Sequence, residues 1–207
     1  MAANVARVVV SCCSDDIKNV IEGVGGEAIL TPPELPSGTD RVAAAVRKID
    51  PTHQHDIVIN LQGDLPTIEP DDIGRVLKPF ADTRDFDITT LVTPTRTEEE
   101  LTSMSVVKAV IGNVRDTVGQ AFYFSRSPLA SGNNVYYHHM GIYAFRRPVL
   151  EDIVNRPPSP LELQERLEQL RALEVGYTFG AAITDALPLG VDTPEDLKIA
   201  ENRLEHC

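Results

Sequence analysis

Short apolar runs in the first part of the chain predict the strands of a layered fold. Val5–Val10 and Ile57–Leu61 are continuous runs rich in β-branched residues, a pattern typical of strands buried on both faces. Glu27–Leu30 predicts a shorter strand between them. The proline-rich stretch 32–36 that follows requires a loop.

Segments with helical spacing separate these runs. Ser14 and Asp15 can cap a first helix that ends near Gly25. Apolar residues recur at helical spacing behind Thr39, and Pro70–Ala81 predicts a third helix. The β-α-β-α-β-α order predicts an α/β fold, with a mostly parallel sheet and helices on both faces.

The rest of the chain is first strand-rich and then helical. Leu161–Leu173 and Pro194–Leu204 have helical patterns, with a short segment from Tyr177 to Ile183 between them. The strand-like segments before them are expected to complete the sheet and to add a small β-rich lobe. These segments are Asp87–Thr93, Val106–Ile111, Ala121–Phe124 and His139–Phe145.

Composition narrows the class of protein. The 207 residues are expected to form a single domain over 1–207, and a 42% hydrophobic content is enough for a core. A net charge of −12 argues against a nucleic-acid partner, although a few cations or a metal can still hold an anionic small molecule. Three cysteines, two of them adjacent, do not suggest a disulfide framework. No apolar stretch approaches the roughly 18 residues that span a bilayer, so a cytoplasmic protein without membrane contact is expected.

The segment Ser37-Gly38-Thr39-Asp40-Arg41 opens a predicted helix after the proline-rich loop. The free backbone N–H groups and the positive dipole end of a helix N-terminus suit phosphate or carbonyl oxygens. Plain capping by Ser or Thr explains the same residues without any ligand. Taken alone, this segment favours capping.

Gln62-Gly63-Asp64 follows the predicted strand Ile57–Leu61. Ligands of open α/β sheets bind beyond the carboxyl ends of the strands. Gly63 permits a close approach of the backbone to a ligand, and Mg²⁺ favours one or two carboxylates together with substrate phosphates. A strand-ending turn stabilised by Asp64 is equally compatible with the pattern.

The segment Gly190–Leu197 holds a second candidate carboxylate. Thr193 can cap a helix, Pro194 suits its first position and Asp196 can complete a capping box. Asp192 is not needed for capping and is therefore the better metal candidate. An ordinary loop aspartate is the alternative.

Three polar residues in the strand-rich part are candidates for a site. Arg126 at a strand end can clamp a carboxylate, or it is simply solvated. His138 and His139 are neighbours on a predicted strand, so their side chains point to opposite faces and at most one faces a given site. Structural burial is the alternative for both.

The predicted helix in the last third carries an apolar stripe of Leu163, Leu167 and Leu170. Glu168 and Gln169 lie at the edge of that stripe. Such polar groups are either solvated or line a binding site, and for an isolated helix solvation is the simpler interpretation.

The order of the motifs is more informative than any one of them. Along the chain they are Ser-Gly-Thr-Asp-Arg, Gln-Gly-Asp-x-Pro, Tyr-Phe-Ser-Arg-Ser, His-x-Gly-Ile-Tyr, Pro-Ser-Pro-Leu-Glu, Leu-Glu-Gln-Leu-Arg and Gly-Val-Asp-Thr-Pro-Glu-Asp-Leu. This order resembles that of the 3-deoxy-manno-octulosonate cytidylyltransferases (CMP-Kdo synthetases), from about Arg7 to the C-terminus. The resemblance implies a nucleotide-diphospho-sugar-transferase-like, Rossmann-like α/β fold that dimerises through its β-rich lobe.

The resemblance also implies a reaction. CMP passes from CTP to the sugar acid Kdo, giving CMP-Kdo and pyrophosphate for lipopolysaccharide biosynthesis. Asp64 and Asp192 would be the catalytic carboxylates that hold Mg²⁺. The implied CTP-binding residues are Ser37, Gly38 and Arg41. The implied Kdo-binding residues are Gln62, Arg126 (for the carboxylate), His139, Tyr143, Glu168 and Gln169.

The chain departs from the family pattern in several places. The family begins with a strand, a loop with Arg, Pro and Lys that grips the triphosphate, and a helix, a unit of roughly 30 residues. That first β-α unit is expected to be absent here. Cys13, Leu65 and Ser105 stand where the family usually has Asp, Glu and Asn, whereas Lys108 falls in a lysine-containing strand of the family. Two interpretations follow: a full enzyme in which Met1 is an internal methionine, or a non-catalytic fragment able only to dimerise or bind sugar weakly.

Overall fold

A computed structural model describes residues 5–95, 97–128, 136–186, 189–191 and 193–205. The strands in these ranges are β1 (Val10–Cys12), β2 (Ala28–Leu30), β3 (Ile57–Leu61), β4 (Ile88–Pro94), β5 (Lys108–Arg115), β6 (Val118–Ser125), β7 (Tyr137–Arg146) and β8 (Phe179–Ile183). The helices are α1 (Asp15–Gly23), α2 (Gly38–Ile49), α3 (Pro70–Arg75), α4 (Glu98–Thr102), α5 (Arg147–Val154), α6 (Pro160–Glu165), α7 (Gln169–Glu174) and α8 (Pro194–Leu204). A 3₁₀ turn, Lys78–Ala81, follows α3.

Six of the strands form one sheet in the order β3-β7-β4-β8-β6-β5. β7 pairs antiparallel with both β3 and β4, whereas β4 and β8 are parallel. The expectation of a mostly parallel sheet is therefore corrected, because β7 returns in the opposite direction between β3 and β4. β3, β4 and β8 still run the same way, so their carboxyl ends share one edge, where α/β proteins bind ligands.

The β-rich region is a continuation of this sheet. β5 and β6 form a hairpin, in which Asn113 and Asp116 adopt left-handed backbone conformations with φ of 51° and 53°. The first residues of β5 also pair with β7, opposite His138 and Tyr137. The strands β7, β4, β8, β6 and β5 are thus paired in a closed ring, because β5 also pairs with β7.

The front of the chain forms a separate two-stranded sheet, in which β1 and β2 are parallel. The predicted strand Val5–Val10 is wrong in its bounds and its burial: β1 starts only at Val10, and Val8 is 61% exposed. Helix α2 packs against both β1 and β3. Among the described residues β1 pairs only with β2 and β3 only with β7, so each keeps one open edge.

Helices cover both faces of the six-stranded sheet, as predicted. One core lies beneath α2, α5 and α7, and includes Ala43, Leu150, Leu170 and Phe124. The other lies beneath α3 and the 3₁₀ turn, where Val76 is fully buried. None of the helices within the described ranges combines the length and apolar character needed to cross a bilayer.

The predicted helix Leu161–Leu173 is two helices, α6 and α7. Arg166 ends α6 in a left-handed conformation with φ 56° and ψ 46°. The change of direction leaves Leu163 67% exposed while Leu167 is 5% exposed, so the predicted apolar stripe does not act as a unit. The break places Glu168 at the start of α7.

Candidate active site

The N-terminus of α2 is capped by Ser37. The Ser37 hydroxyl accepts a hydrogen bond from the Asp40 backbone N–H (3.2 Å) and donates one to the Asp40 carboxylate (2.6 Å). The Arg41 guanidinium donates to Thr31 Oγ1 (2.7 Å) and to the Pro32 carbonyl (3.0 Å). Arg41 therefore anchors the proline-rich loop against the helix. The capping role considered for this segment is present, together with a loop held in place by Arg41.

Gln62 begins the loop at the carboxyl end of β3 and packs against two glycines. A Cβ atom on Gly38 would lie 2.8 Å from Gln62 Nε2, and one on Gly141 would lie 3.2 Å from Gln62 Cγ. The backbone N–H of Gln62 donates to the Gly141 carbonyl at 3.2 Å. Glycines of two different motifs thus pack closely against this one side chain, which would have to shift if either glycine carried a Cβ atom.

Glu168 joins the two halves of the predicted site. Its carboxylate accepts hydrogen bonds from the Thr39 backbone N–H (3.3 Å) and the Thr39 hydroxyl (3.0 Å). Gln62 Nε2 is a third donor at 3.4 Å. A residue predicted to bind sugar therefore contacts the first turn of the helix predicted to bind nucleotide.

Tyr143 and His139 lie side by side on β7, with ring centroids 5.3 Å apart. Burial raises the pKa of Tyr143 well above its usual value, and the carboxylates of Glu168 and Asp64 act in the same direction. Burial, followed by the neighbouring His138, lowers the pKa of His139 to about 3. At physiological pH Tyr143 is therefore a protonated donor and His139 is neutral.

The hydrogen bonds of Thr90 fix the tautomer of His139. The Thr90 hydroxyl donates its single proton to the Ile142 carbonyl at 2.7 Å, so Thr90 Oγ1 must accept from His139 Nε2, 3.0 Å away. His139 Nδ1 is then the unprotonated nitrogen. The neighbouring side chains of Tyr143 and His139 thus carry a donor hydroxyl and an acceptor nitrogen, respectively.

A small pocket lies between α2, β7 and α7. Its polar lining consists of Ser37, Thr39, Tyr143, Glu168, Gln169 and Arg171. Arg171 is 3% exposed and pairs with Glu162 at 2.6 Å and, more loosely, with Asp40 at 3.8 Å. The pocket therefore combines polar groups from the nucleotide and sugar motifs.

Arg126 lies apart from this pocket. Its guanidinium donates to the carbonyls of Met104 and Ser105, each at 3.2 Å. Neither Arg126 nor His139 is among the residues that line the pocket, so the structure brings together Tyr143 and Glu168 but not the full predicted set.

Lys108 is completely buried beside the Arg126 segment. Its ammonium donates to the carbonyls of Ser103 (2.6 Å), Val106 (2.9 Å) and Arg126. Burial, and then the charge of Arg126, lower the pKa of Lys108. Lys108 therefore ties the chain before β5 to the end of β6, a structural role that its sequence position did not reveal.

The predicted metal site is described in part. Asp64 is exposed at the carboxyl end of β3, and its carbonyl accepts a hydrogen bond from the Val191 N–H at 2.8 Å. Asp192 lies outside the described residues. The described residues contain no group of three or more His, Cys, Asp or Glu side chains suited to a metal. The backbone contact places the residue before Asp192 next to Asp64.

Several polar residues that build the site had no predicted role. Thr39 and Asn60 are buried and hydrogen-bonded to each other at 3.2 Å, and Thr90 orients His139. Arg171 was part of a motif but had no predicted role. The available signal was polar residues within otherwise apolar segments, which indicates a buried polar network without identifying its partners.

Comparison with known proteins identifies the family of this chain. The cytidylyltransferase family model matches residues 1–179. A 3-deoxy-manno-octulosonate cytidylyltransferase of Rhodopseudomonas palustris (strain BisB5) is 47% identical over 204 residues, 99% of this chain and 83% of that protein. One from Bradyrhizobium diazoefficiens is 49% identical over 203 residues, 98% of this chain and 82% of that protein.

Solved structures show the same relationship. A structure of CMP:2-keto-3-deoxy-manno-octonic acid synthetase complexed with CTP superposes with a TM-score of 0.88 at 34% identity, covering all of this chain and 84% of that chain. HddC from Yersinia pseudotuberculosis, at 17% identity and a TM-score of 0.62, shares the fold alone. By sequence and by structure, this chain belongs to the 3-deoxy-manno-octulosonate cytidylyltransferase family.

Proposed function

We propose that this protein transfers CMP from CTP to Kdo, releasing pyrophosphate and supplying CMP-Kdo to lipopolysaccharide biosynthesis. The anomeric hydroxyl oxygen of Kdo forms a bond to the α-phosphorus of CTP. The bond from that phosphorus to the bridging oxygen breaks, pyrophosphate leaves, and the hydroxyl proton passes to the surrounding solvent. The observation that carries the proposal is the contact of Glu168 with both Thr39 and Gln62, which joins the nucleotide and sugar motifs in one pocket.

The nucleotide half of the site is the first turn of α2. Ser37 and Gly38 would present backbone to the nucleotide there, and Gly38 packs closely against the Gln62 side chain. Arg41 holds the proline-rich loop through the carbonyls of Pro32 and Pro33. In this proposal Arg41 shapes the loop that lies against the cytidine.

The sugar half is built from polar groups of opposite hydrogen-bonding character. Glu168 can accept bonds from Kdo hydroxyls, while Gln62, Gln169 and Tyr143 can donate. In this proposal His139 Nδ1 would add a neutral acceptor beside Tyr143, outside the residues that line the pocket. This mixture suits a polyhydroxylated ligand, whose hydroxyl groups both donate and accept.

Arg126 is assigned to the Kdo carboxylate. Its guanidinium now contacts two neutral carbonyl oxygens, on Met104 and Ser105. A carboxylate is a stronger partner for a guanidinium and can accept two parallel bonds. Binding of Kdo would therefore exchange neutral acceptors for a charged one.

In this proposal Asp64 and Asp192 hold a Mg²⁺ ion. Asp64 supplies one carboxylate, and the contact of its carbonyl with Val191 N–H brings the backbone that leads into Asp192 beside it. Two carboxylates together with substrate phosphates are a typical ligand set for Mg²⁺. When bound, the ion would neutralise negative charge on the phosphates during the transfer.

The setting proposed for the enzyme is the cytoplasm, as a homodimer. The hairpin β5–β6 exposes apolar side chains: Val114 is 45% exposed and Phe122 is 50% exposed. Such residues on a hairpin surface are suited to contact with a second subunit. The described cysteines, Cys12 and Cys13, are free thiols, in keeping with a reducing compartment.

The test is pyrophosphate release from CTP and Kdo in the presence of Mg²⁺. We expect release with the wild-type chain, and we expect Arg126→Ala to raise the KM for Kdo roughly ten- to hundredfold, because a charge-assisted pair is lost. The KM for CTP should change little.

Arg156→Ala is the matched control, since Arg156 is a partly exposed arginine that pairs with Asp152 on α5. An unchanged KM for Kdo in Arg126→Ala would remove the carboxylate role. Absence of release from the wild-type chain, with intact folding, would instead favour the non-catalytic alternative.

A further inference from the structure

A directed chain of hydrogen bonds runs from β3 through α2 to the start of α7. Asn60 Nδ2 lies 3.2 Å from Thr39 Oγ1, and Thr39 Oγ1 lies 3.0 Å from Glu168 Oε1. The amide nitrogen of Asn60 can only donate, so the Thr39 hydroxyl accepts from Asn60 and donates its own proton to Glu168. Thr39 is 5% exposed and Asn60 is 2% exposed, so solvent does not compete for these bonds.

Thr39 holds the Glu168 carboxylate with two donors. Its hydroxyl contacts Oε1 and its backbone N–H contacts Oε2 at 3.3 Å. That N–H is one of the unpaired donors in the first turn of α2, where the helix dipole also favours a negative charge. Two bonds to different oxygens fix the plane of the carboxylate as well as its position.

The backbone that carries Glu168 is fixed separately. Arg171, on α7, forms two hydrogen bonds with the Glu162 carboxylate, at 2.7 and 2.6 Å. The Glu162 side chain also accepts the Ser159 N–H at 3.0 Å and so caps α6. Because Arg171 and Glu162 hold α7 against α6, the orientation of the Glu168 side chain itself is set by Thr39, with a longer contact from Gln62 Nε2 at 3.4 Å.

We propose that Thr39 is a positioning residue that orients the Glu168 carboxylate for the sugar. The inference rests on the proposed function and assigns to Thr39, in the nucleotide motif, a role in the sugar half of the site. Without the Thr39 hydroxyl, Glu168 keeps the Thr39 backbone N–H and the 3.4 Å contact with Gln62 Nε2, but it loses the shorter of the two bonds to Oε1. The sugar then has to order the carboxylate on binding, and its affinity falls.

The central experiment compares Thr39→Val, which has nearly the same shape but no hydroxyl, with Thr39→Ser, which keeps the hydroxyl. We expect Thr39→Val to raise the KM for Kdo by about tenfold or more and to leave the KM for CTP within about twofold. Thr39→Ser should restore most of the loss. A merely structural role would affect both substrates and would not depend on the hydroxyl.

A double-mutant cycle tests whether Thr39 acts through Glu168. If it does, Thr39→Val should have little further effect on the KM for Kdo in a Glu168→Ala background. Equal effects of Thr39→Val in both backgrounds would overturn the inference, as would an unchanged KM for Kdo in the single variant. Should Thr39→Val fail to fold, Thr39→Ala leaves room for a water molecule and serves as the second variant.

Different results would contradict the role of Thr39 and the proposed function. A wild-type chain that makes CMP-Kdo, with a Thr39→Val variant of unchanged sugar kinetics, removes the role of Thr39 and leaves the proposed function standing. A folded wild-type chain that releases no pyrophosphate removes the proposed function and the positioning role together.

Discussion

At the scale of single residues, strand β4 contains buried threonines with different surroundings. Thr90 Oγ1 contacts both the Ile142 carbonyl and His139 Nε2. Thr93 Oγ1 is equally buried but has no hydrogen-bond partner. A buried hydroxyl without a partner costs free energy, whereas a bonded one stabilises the fold and leaves orphaned partners when it is removed.

Thr93→Val should therefore raise the free energy of unfolding by about 1 kcal/mol, because valine fills the same volume without an unpaired hydroxyl. Thr90→Val is the matched control, and should lower the free energy of unfolding by about 1–3 kcal/mol because two partners lose their bond. Urea unfolding of the two variants measures both changes. Equal destabilisation by the two substitutions would contradict this account of Thr93.

At the scale of secondary-structure elements, the break between α6 and α7 places Glu168 and Gln169 in the pocket. Arg166 adopts its left-handed conformation with an exposed side chain. Non-glycine residues are strained there, by roughly 1–2 kcal/mol, because the Cβ atom approaches the backbone. This strained residue lies where the chain changes direction between α6 and α7 and enters the site.

Arg166→Gly should raise the free energy of unfolding by up to about 1 kcal/mol, since relief of strain outweighs the added freedom of the unfolded chain. Leu163→Gly is the control, because Leu163 is exposed within α6 and has helical backbone; it should lower the free energy of unfolding by about 1 kcal/mol. Thermal or urea unfolding checks both. A loss of stability in Arg166→Gly as large as that in Leu163→Gly would show that the arginine side chain matters more than the backbone strain.

At the scale of the whole molecule, apolar surface and open strand edges gather at the front of the fold. Helix α1 has no buried residue, and Ile17, Val20 and Val24 are 46%, 66% and 81% exposed. β1 and β3 each have one unpaired edge among the described residues. Exposed apolar groups beside open edges favour association with other chains.

The chain should therefore associate in a concentration-dependent way, as light scattering after size-exclusion chromatography would show. The paired change Val20→Lys and Val24→Lys should reduce association at the front, because it introduces charge among the exposed apolar residues of α1 and at the residue that follows it. Phe122→Glu, in the hairpin β5–β6, tests the proposed dimer contact in the same assay. A wild-type chain that stays monomeric at high concentration would contradict both expectations.

Local patterns in the sequence predicted much of the element content. The apolar run Ile57–Leu61 is β3 with the predicted bounds, and helical spacing behind Thr39 corresponds to α2. Asn113 and Asp116, residue types that favour turns, lie in the hairpin β5–β6. These features follow from periodicity, capping and turn propensity, which depend on neighbouring residues and can be read along the chain.

Tertiary structure alone decided how these elements combine. Thr39 and Glu168 are 129 positions apart, and only the tertiary structure brings the residue at the start of α7 to the first turn of α2. The insertion of β7 between β3 and β4 and the reversal at Arg166 likewise changed a predicted parallel sheet and a predicted single helix. The order of the motifs in the sequence was enough to predict the family, because a family is identified by which residues occur and in what order. The orientation of Glu168 depends on long-range hydrogen bonds between segments, and no local pattern specifies those partners.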